Sequence, residues 1–146
     1  MSALFYLVRH AEAERPEGVR DRDRCLTAQG RSSFAALARS LSPRAPIRRI
    51  LASPFARARE TASLLAAASG APVEEEELLA SGRSGGAALL GLARRAGDGT
   101  ALVGHSPEIA EAIALVGGSQ RPVPPGTVAA VEEGPGGCRL LWVESP

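Results

Sequence analysis

Two histidines and two arginines are the residues of this sequence best suited to chemistry. His10 and His105 are its only histidines, and each follows a short apolar run typical of a buried strand. A neutral imidazole can act as a nucleophile near pH 7, because its ordinary pKa is about 6.5. Arg9 and Arg57 offer guanidinium forks, which bind phosphate oxygens in pairs. Together they indicate attack by one histidine on a phosphoryl group, with the arginines and a second, protonated histidine stabilising its charge.

Three apolar runs predict the strands that position these residues. The runs are Leu4–Val8, Ile50–Ala52 and Ala101–Gly104, and their continuous hydrophobicity is typical of parallel strands covered on both faces. In an open parallel sheet, ligands bind beyond the carboxyl ends of the strands. We therefore expect the two histidines and the two arginines to converge at one edge of the sheet.

Helix signals alternate with these strands along the chain. Thr27 predicts the cap of a helix that ends near Leu41, while Ser53-Pro54 and Ser106-Pro107 each predict a cap followed by proline at the first helical position. The four predicted helices cover about residues 27–41, 53–69, 87–96 and 106–117. Such alternation predicts an α/β fold of three layers, α/β/α, around a mainly parallel sheet.

Two later segments complete the predicted sheet. Val128–Glu132 and Cys138–Val143 flank a Gly-Pro-Gly-Gly turn and predict a C-terminal hairpin. The glutamate run that closes Val73–Glu77 is typical of a solvated loop or of an edge strand. These interpretations place the whole chain, residues 1–146, in one domain.

The predicted helix N-termini favour an anion. Free N–H groups and the helix dipole attract negative charge, and Arg57 leans back toward the start of its helix. Ser106 begins the helix that follows His105, so Ser106 is a further candidate contact for substrate.

Composition excludes several other classes of function. The net charge of +1 gives no field for nucleic acid or for an acidic membrane. Cys25 and Cys138 form no CxxC pair, so we expect no thiolate metal site, while a disulfide between them stays open. The short run after the N-terminus predicts neither a signal peptide nor a membrane span, and we expect a cytoplasmic protein.

Four segments, in order, resemble motifs of the histidine phosphatase superfamily. Leu7–Ala13 resembles its Arg-His-Gly signature, and Leu26–Gly30 resembles its LT-x-x-G segment. Ser53–Ala62 resembles its SPxxRAxxTA helix, and Val103–Pro107 resembles the motif around its second histidine. This resemblance implies a phosphoglycerate mutase-like fold and a phosphatase activity.

The resemblance also implies roles for single residues. His10 would form a phosphohistidine intermediate, and Arg9, Arg57 and His105 would line the phosphate pocket, with no metal or organic cofactor. Within the superfamily the sequence is most similar to the SixA-type phosphohistidine phosphatases. Arg24 stands where that group often has a basic residue, and this implies another phosphate contact.

The sequence departs from the family pattern at two places. Ala11 replaces the usual glycine, so the loop either keeps a negative φ or strains Ala11. The segment that carries a catalytic carboxylate in larger members is short here. Glu77 is its candidate general acid, although a solvated glutamate run explains the same residues.

Three functions are compatible with these residues. We expect a phosphatase acting on a phosphorylated protein that carries phosphohistidine, because an imidazole leaving group has less need of a protein acid. A phosphatase for a small molecule, such as a sugar phosphate or a nucleotide, is the first alternative. The second is a module that binds phosphorylated partners without turnover, although such a module would not need the nucleophile.

Overall fold

The computed structural model describes residues 2–146 and contains one sheet of six strands. The strands lie in the order β3-β2-β4-β1-β5-β6 across the sheet. The first four of these are parallel, whereas β5 runs antiparallel to both β1 and β6. The strands are β1 Ala3–Arg9, β2 Arg49–Ala52, β3 Val73–Glu75, β4 Thr100–Gly104, β5 Val128–Gly134 and β6 Gly137–Glu144. The predicted α/β class, mainly parallel sheet and C-terminal hairpin are confirmed.

Four helices cover the two faces of the sheet. They are α1 Ala28–Leu41, α2 Ala56–Ser69, α3 Gly86–Ala96 and α4 Glu108–Gly117. α1 and α2 pack on the face that carries Tyr6 and Val8. α3 and α4 pack on the opposite face, which carries Phe5 and Leu7. Successive side chains of β1 thus pack into the hydrophobic cores on opposite faces of the sheet. For this reason apolar residues are continuous along the strand and do not alternate with polar ones.

One predicted helix start is correct and two are wrong. Thr27 caps α1, since its Oγ1 accepts a hydrogen bond from the Gly30 N–H at 2.8 Å. α2 begins at Ala56 instead of Ser53, because the Ser53 hydroxyl accepts from the Phe55 N–H while the chain at Phe55 is still extended. α4 begins at Glu108, since Pro107 occupies the cap position and leaves Ser106 outside the helix.

The first half of the glutamate run forms an edge strand, and the second half leads into a 3₁₀ turn, so both expected structures occur. β3 pairs with β2 alone, and its three residues are exposed. Glu74 of this strand forms an ion pair with Arg49 of β2, with 3.0 Å between Oε1 and Nε. Charged side chains suit such an edge because they disfavour pairing with another chain.

Cys25 and Cys138 are both free thiols, so the disulfide left open by the sequence does not form in this structure. Within residues 2–146, no helix combines the length and the hydrophobicity needed to cross a membrane.

Candidate active site

The two histidines leave neighbouring strands at the same edge of the sheet. β1 and β4 lie side by side in the middle of the sheet, with Arg9 opposite Gly104. The His10 N–H donates to the Gly104 carbonyl at 3.0 Å, and His105 follows directly. The ring centroids of His10 and His105 are consequently only 5.2 Å apart. Both imidazoles can reach the same phosphoryl group.

Hydrogen bonds at both ring nitrogens define the tautomer of His10. Its Nδ1 lies 2.7 Å from the Ala11 carbonyl oxygen, which can only accept. Its Nε2 lies 3.3 Å from Nε of Arg57, which can only donate. The proton is therefore on Nδ1, and the lone pair of Nε2 faces the Arg57 guanidinium.

Burial keeps the His10 ring neutral. The side chain is 8% exposed, and burial together with the positive charges of Arg57 and Arg9 lowers the pKa of His10 to about 4. The hydrogen bond to the Ala11 carbonyl raises the pKa of His10, but this effect is smaller than the lowering by burial. His10 at neutral pH is therefore an uncharged imidazole, the state that a nucleophile requires.

His105 lies deeper in the same pocket. It is 2% exposed, and its Nε2 lies 2.8 Å from the Ser53 hydroxyl oxygen. Burial, followed by the neighbouring His10 and Arg57, lowers the pKa of His105 to about 3. The protonated state expected for His105 therefore requires the negative charge of a phosphoryl group to offset these effects.

The two arginines reach the pocket from separate elements. Arg57 lies in the first turn of α2 and is 4% exposed; its Nη1 donates to the Asp21 carbonyl oxygen at 2.7 Å. Arg9 ends β1, and its Nη1 donates to the Val123 carbonyl oxygen at 2.7 Å. Main-chain carbonyls of two loops thus aim both guanidinium groups.

Two buried nitrogen atoms of this pocket have no hydrogen-bond partner. Across residues 2–146, they are the only buried side-chain nitrogen or oxygen atoms left without one, Nε of Arg9 and Nδ1 of His105. An unpaired buried polar atom costs roughly 1–3 kcal/mol. A bound oxyanion is one kind of partner that could accept a hydrogen bond from Nε of Arg9 or from a protonated Nδ1 of His105.

The other predicted site residues differ in their burial and in their contacts with the pocket. Arg24 is half-buried, and its charge contributes to the lowered pKa of His10. Ser106 is half-buried beside His105, but the serine that contacts His105 is Ser53. Glu77 is exposed on a short 3₁₀ turn, Glu77–Leu79. The hydrogen bonds of the two histidines and two arginines of the pocket do not include Glu77.

Sequence reasoning missed three side chains around the pocket. Ser53 carries a helix-cap signal, and both Ser53 and Thr61 belong to a segment that resembles a family motif, but neither pattern predicts a contact in the pocket. Thr61 is fully buried; its Oγ1 accepts from the Ala11 N–H at 3.0 Å and donates to the Arg57 carbonyl at 2.8 Å. The third is Phe55, whose ring packs edge-on against His105 with 5.0 Å between centroids. The serine and threonine could have been found from their places in the Ser53–Ala62 segment.

Backbone geometry resolves the departure at Ala11. Every residue other than glycine in the described chain has a negative φ, so Ala11 keeps an ordinary conformation and is not strained. The side chain is buried, and Thr61 holds its N–H. Alanine is accordingly compatible with this loop.

Fold and site together define a class of protein. Two close histidines at the ends of parallel strands, with one arginine ending a strand and a second in the first turn of a helix, are typical of enzymes that handle phosphoryl groups. The family description Histidine phosphatase superfamily (branch 1) matches residues 5–106, a range that contains all four side chains. The chain belongs to the histidine phosphatase superfamily, and it is a phosphatase of that hydrolase family. No curated protein sequence matches it significantly.

Solved structures share the fold over the whole chain. A candidate phosphohistidine phosphatase SixA from Agrobacterium tumefaciens is 24% identical, with a TM-score of 0.85 and coverage of 99% of this chain and 98% of the other. A similar candidate from Nakamurella multipartitia is 25% identical, with a TM-score of 0.78 and coverage of 100% of this chain and 97% of the other. The protein histidine phosphatase SixA complexed with tungstate is 23% identical, with a TM-score of 0.83 and coverage of 98% and 97%.

Proposed function

We propose that this chain is a phosphohistidine phosphatase, with His10 as nucleophile and Arg9, Arg57 and His105 as the phosphate pocket. The observation that carries the proposal is the state of His10. Its ring is neutral, its proton lies on Nδ1, and its Nε2 lone pair lies beside a guanidinium. A phosphoryl group held by that guanidinium would have its phosphorus next to Nε2.

In the first step the phosphoryl group moves from substrate to His10. The Nε2–P bond forms as the P–N bond of the substrate phosphohistidine breaks, and the leaving imidazole departs with the electron pair of that bond. It leaves as a neutral ring when its other nitrogen carries a proton. Arg9 and Arg57 neutralise the phosphoryl oxygens throughout, while His105, protonated beside the dianion, donates to one of them.

In the second step water attacks phosphorus and the Nε2–P bond breaks. The Nδ1 proton, held by the Ala11 carbonyl, lets His10 leave as neutral imidazole instead of as an anion. One proton of the water passes to phosphate or to solvent. Inorganic phosphate departs, and His10 returns to its starting tautomer.

The surroundings of the pocket support a protein-borne phosphohistidine as substrate. The segment between α2 and α3 is short, residues 70–85, and its Glu77 is exposed. An alkoxide leaving group needs a proton in the transition state, which a positioned acid typically supplies with a gain of about 10²–10⁴-fold. An imidazole has less need of it. A small-molecule phosphatase remains the alternative.

A comparison of substrates tests the proposal. We expect kcat/KM for a histidine-phosphorylated protein to exceed that for a sugar phosphate by about 10²-fold or more, the value of a missing general acid. His10→Ala serves as the blank for contaminating phosphatases. A higher kcat/KM for the sugar phosphate would show that the chain is a phosphatase for small molecules. A decrease of about 10²-fold in kcat/KM in Glu77→Gln would show that Glu77 acts as a general acid.

A trapping experiment separates the enzyme from a binding module. Rapid quenching with a substrate labelled in its phosphoryl group should leave label on His10, in alkali-stable and acid-labile form. Binding without label transfer or phosphate release would contradict an enzymatic role.

A further inference from the structure

One carboxylate lies against the pocket arginines. Asp21 begins a 3₁₀ turn, Asp21–Asp23, in the loop between β1 and α1. Its Oδ2 lies 3.2 Å from Nη2 of Arg57, and its Oδ1 accepts from Nη1 of Arg24 at 2.9 Å. The hydrogen bond from Arg24, with the nearby charge of Arg57, lowers the pKa of the Asp21 carboxyl, so the group is ionised at neutral pH.

The Asp21 carboxylate is not needed to hold these arginines in place. Nη1 of Arg57 donates to the main-chain oxygen of Asp21 at 2.7 Å, and its Nε donates to His10. Nε of Arg24 donates to the Glu14 carbonyl oxygen at 2.7 Å. Each guanidinium therefore keeps at least one other hydrogen bond when the Asp21 carboxylate is removed. The main contribution of the carboxylate is the negative charge that it places beside the two arginines.

A carboxylate and a phosphoryl group seek the same partners. Both offer paired oxygens that match an arginine fork, and both are anions. We propose that Asp21 is an internal competitor for phosphate: its carboxylate shares the Arg57 and Arg24 forks, so it weakens the binding of the product phosphate and speeds its release. This inference rests on the proposed function, because it needs phosphate to bind at Arg57.

Exposure makes this competition reversible. The Asp21 side chain is 59% exposed, whereas that of Arg57 is 5% exposed. A carboxylate at the surface can swing into water at little cost when an oxyanion arrives, while the guanidinium stays in the pocket. The loop thus places an exposed carboxylate beside a buried guanidinium.

The decisive variant is Asp21→Asn, which keeps size and main-chain contacts but removes the charge. Titration calorimetry with inorganic phosphate needs no turnover. We expect the Kd for phosphate to fall by about 5- to 10-fold, the effect of one unit charge a few ångströms away at a partly exposed site. Asp21→Ser should shift the Kd in the same direction. Product inhibition by phosphate should strengthen in parallel.

Asp23→Asn is the matched control. Asp23 lies in the same turn and pairs with the exposed Arg20, 2.9 Å from Oδ2 to Nε, so its loss changes the net charge equally, away from the pocket. We expect its Kd to stay within about twofold of the wild type. An unchanged or weaker affinity in Asp21→Asn and Asp21→Ser, folded by circular dichroism, would overturn the inference and make Asp21 a support.

Arg57→Ala separates the two proposals. If phosphate binding is lost in this variant but does not tighten in Asp21→Asn, the pocket stands and the competitor fails. If Arg57→Ala binds phosphate as well as the wild type does, the pocket lies elsewhere and both proposals fall.

Discussion

The orientation of the His10 ring depends on a short chain of hydrogen bonds. Thr61 accepts from the N–H of Ala11, and the carbonyl of Ala11 accepts from Nδ1 of His10. Replacing Thr61 by valine leaves the Ala11 N–H buried and unpaired, at a cost of about 1–3 kcal/mol. We expect Thr61→Val to lower the melting temperature and to reduce kcat, because the imidazole loses its fixed direction.

Thr61→Ser provides the control for this prediction. Serine keeps the hydroxyl and loses only a methyl group, so kcat should stay near the wild-type value while stability falls slightly. Equal losses of kcat in the serine and valine variants would show that packing, and not the hydrogen bond, is what matters at this position.

For single residues, prediction from sequence depended on how local each signal was. Arg9, His10 and His105 adjoin apolar strands, so the edge they share could be inferred from the pattern. Asp21 and Val123 lie in loops whose paths are set by contacts distant in sequence. Nothing local to those loops indicates that their carbonyls aim the arginines, and the pattern could not reveal it.

The start of α1 is packed directly against the loop that follows His10. A Cβ on Gly30 would meet the carbonyl oxygen of Glu12 well inside van der Waals contact. The Thr27 N–H also donates to that oxygen, at 3.0 Å. A side chain at Gly30 would therefore push Glu12, two residues after His10, out of place.

We expect Gly30→Ala to destabilise the fold by about 1–3 kcal/mol, the usual cost of overpacking. Catalytic activity should fall with it. Gly91→Ala is the matched substitution, since Gly91 lies inside α3 and a Cβ there meets only the flexible end of Arg95. Alanine in a helix interior normally stabilises by roughly 0.5–1 kcal/mol. Thermal unfolding of both variants decides the matter, and a Gly30→Ala protein as stable as the wild type would refute the prediction.

The start of a helix was predicted correctly where the capping side chain only caps the helix. It was predicted wrongly where that side chain also contacts a residue distant in sequence. Thr27 caps α1 as expected, because its hydroxyl has a free N–H to accept from. Ser53 carries the same cap signal, yet its hydroxyl also contacts His105, and α2 starts three residues later. A tertiary contact of this kind overrides a capping preference, and the cap signal of a serine followed by proline does not indicate it.

The two neutral histidines make the stability of the whole molecule depend on pH. Their pKa values lie at about 4 for His10 and about 3 for His105, below the unfolded value of about 6.5. Above pH 6.5 neither state binds these protons, and stability is unaffected. As the pH falls below 6.5, the two histidines bind protons in the unfolded chain but stay neutral in the folded protein. The free energy of unfolding therefore declines toward pH 4.

Melting temperatures between pH 7 and pH 4.5 test this dependence. The decline should be smaller in His10→Asn and smaller again when His105→Asn is added, because asparagine does not titrate. Carboxyl groups act equally on all variants, which is why the difference between curves is the informative quantity. Parallel curves for the wild type and both variants would be inconsistent with depressed histidine pKa values.

Activity should survive treatment with a chelator. Arginine and histidine side chains supply the positive charge of the proposed pocket, and residues 2–146 bring together no group of three or more side chains suited to hold a metal. We expect kcat/KM after dialysis against EDTA to match that of untreated enzyme. A loss that is restored by Mg²⁺ or Zn²⁺ would contradict this expectation.

The central place of β1 has a consequence for how the protein is made. Its two partners in the sheet are β4, residues 100–104, and β5, residues 128–134. A ribosome delivers the chain in sequence order, so β1, the most apolar strand, emerges before both of its partners and remains without them until residues 100–134 have been synthesised. Both of its edges stay unpaired meanwhile, which exposes a segment prone to aggregation. Nascent chains should therefore depend on early binding by a chaperone, and the two histidines can come together only after β4 has emerged from the ribosome.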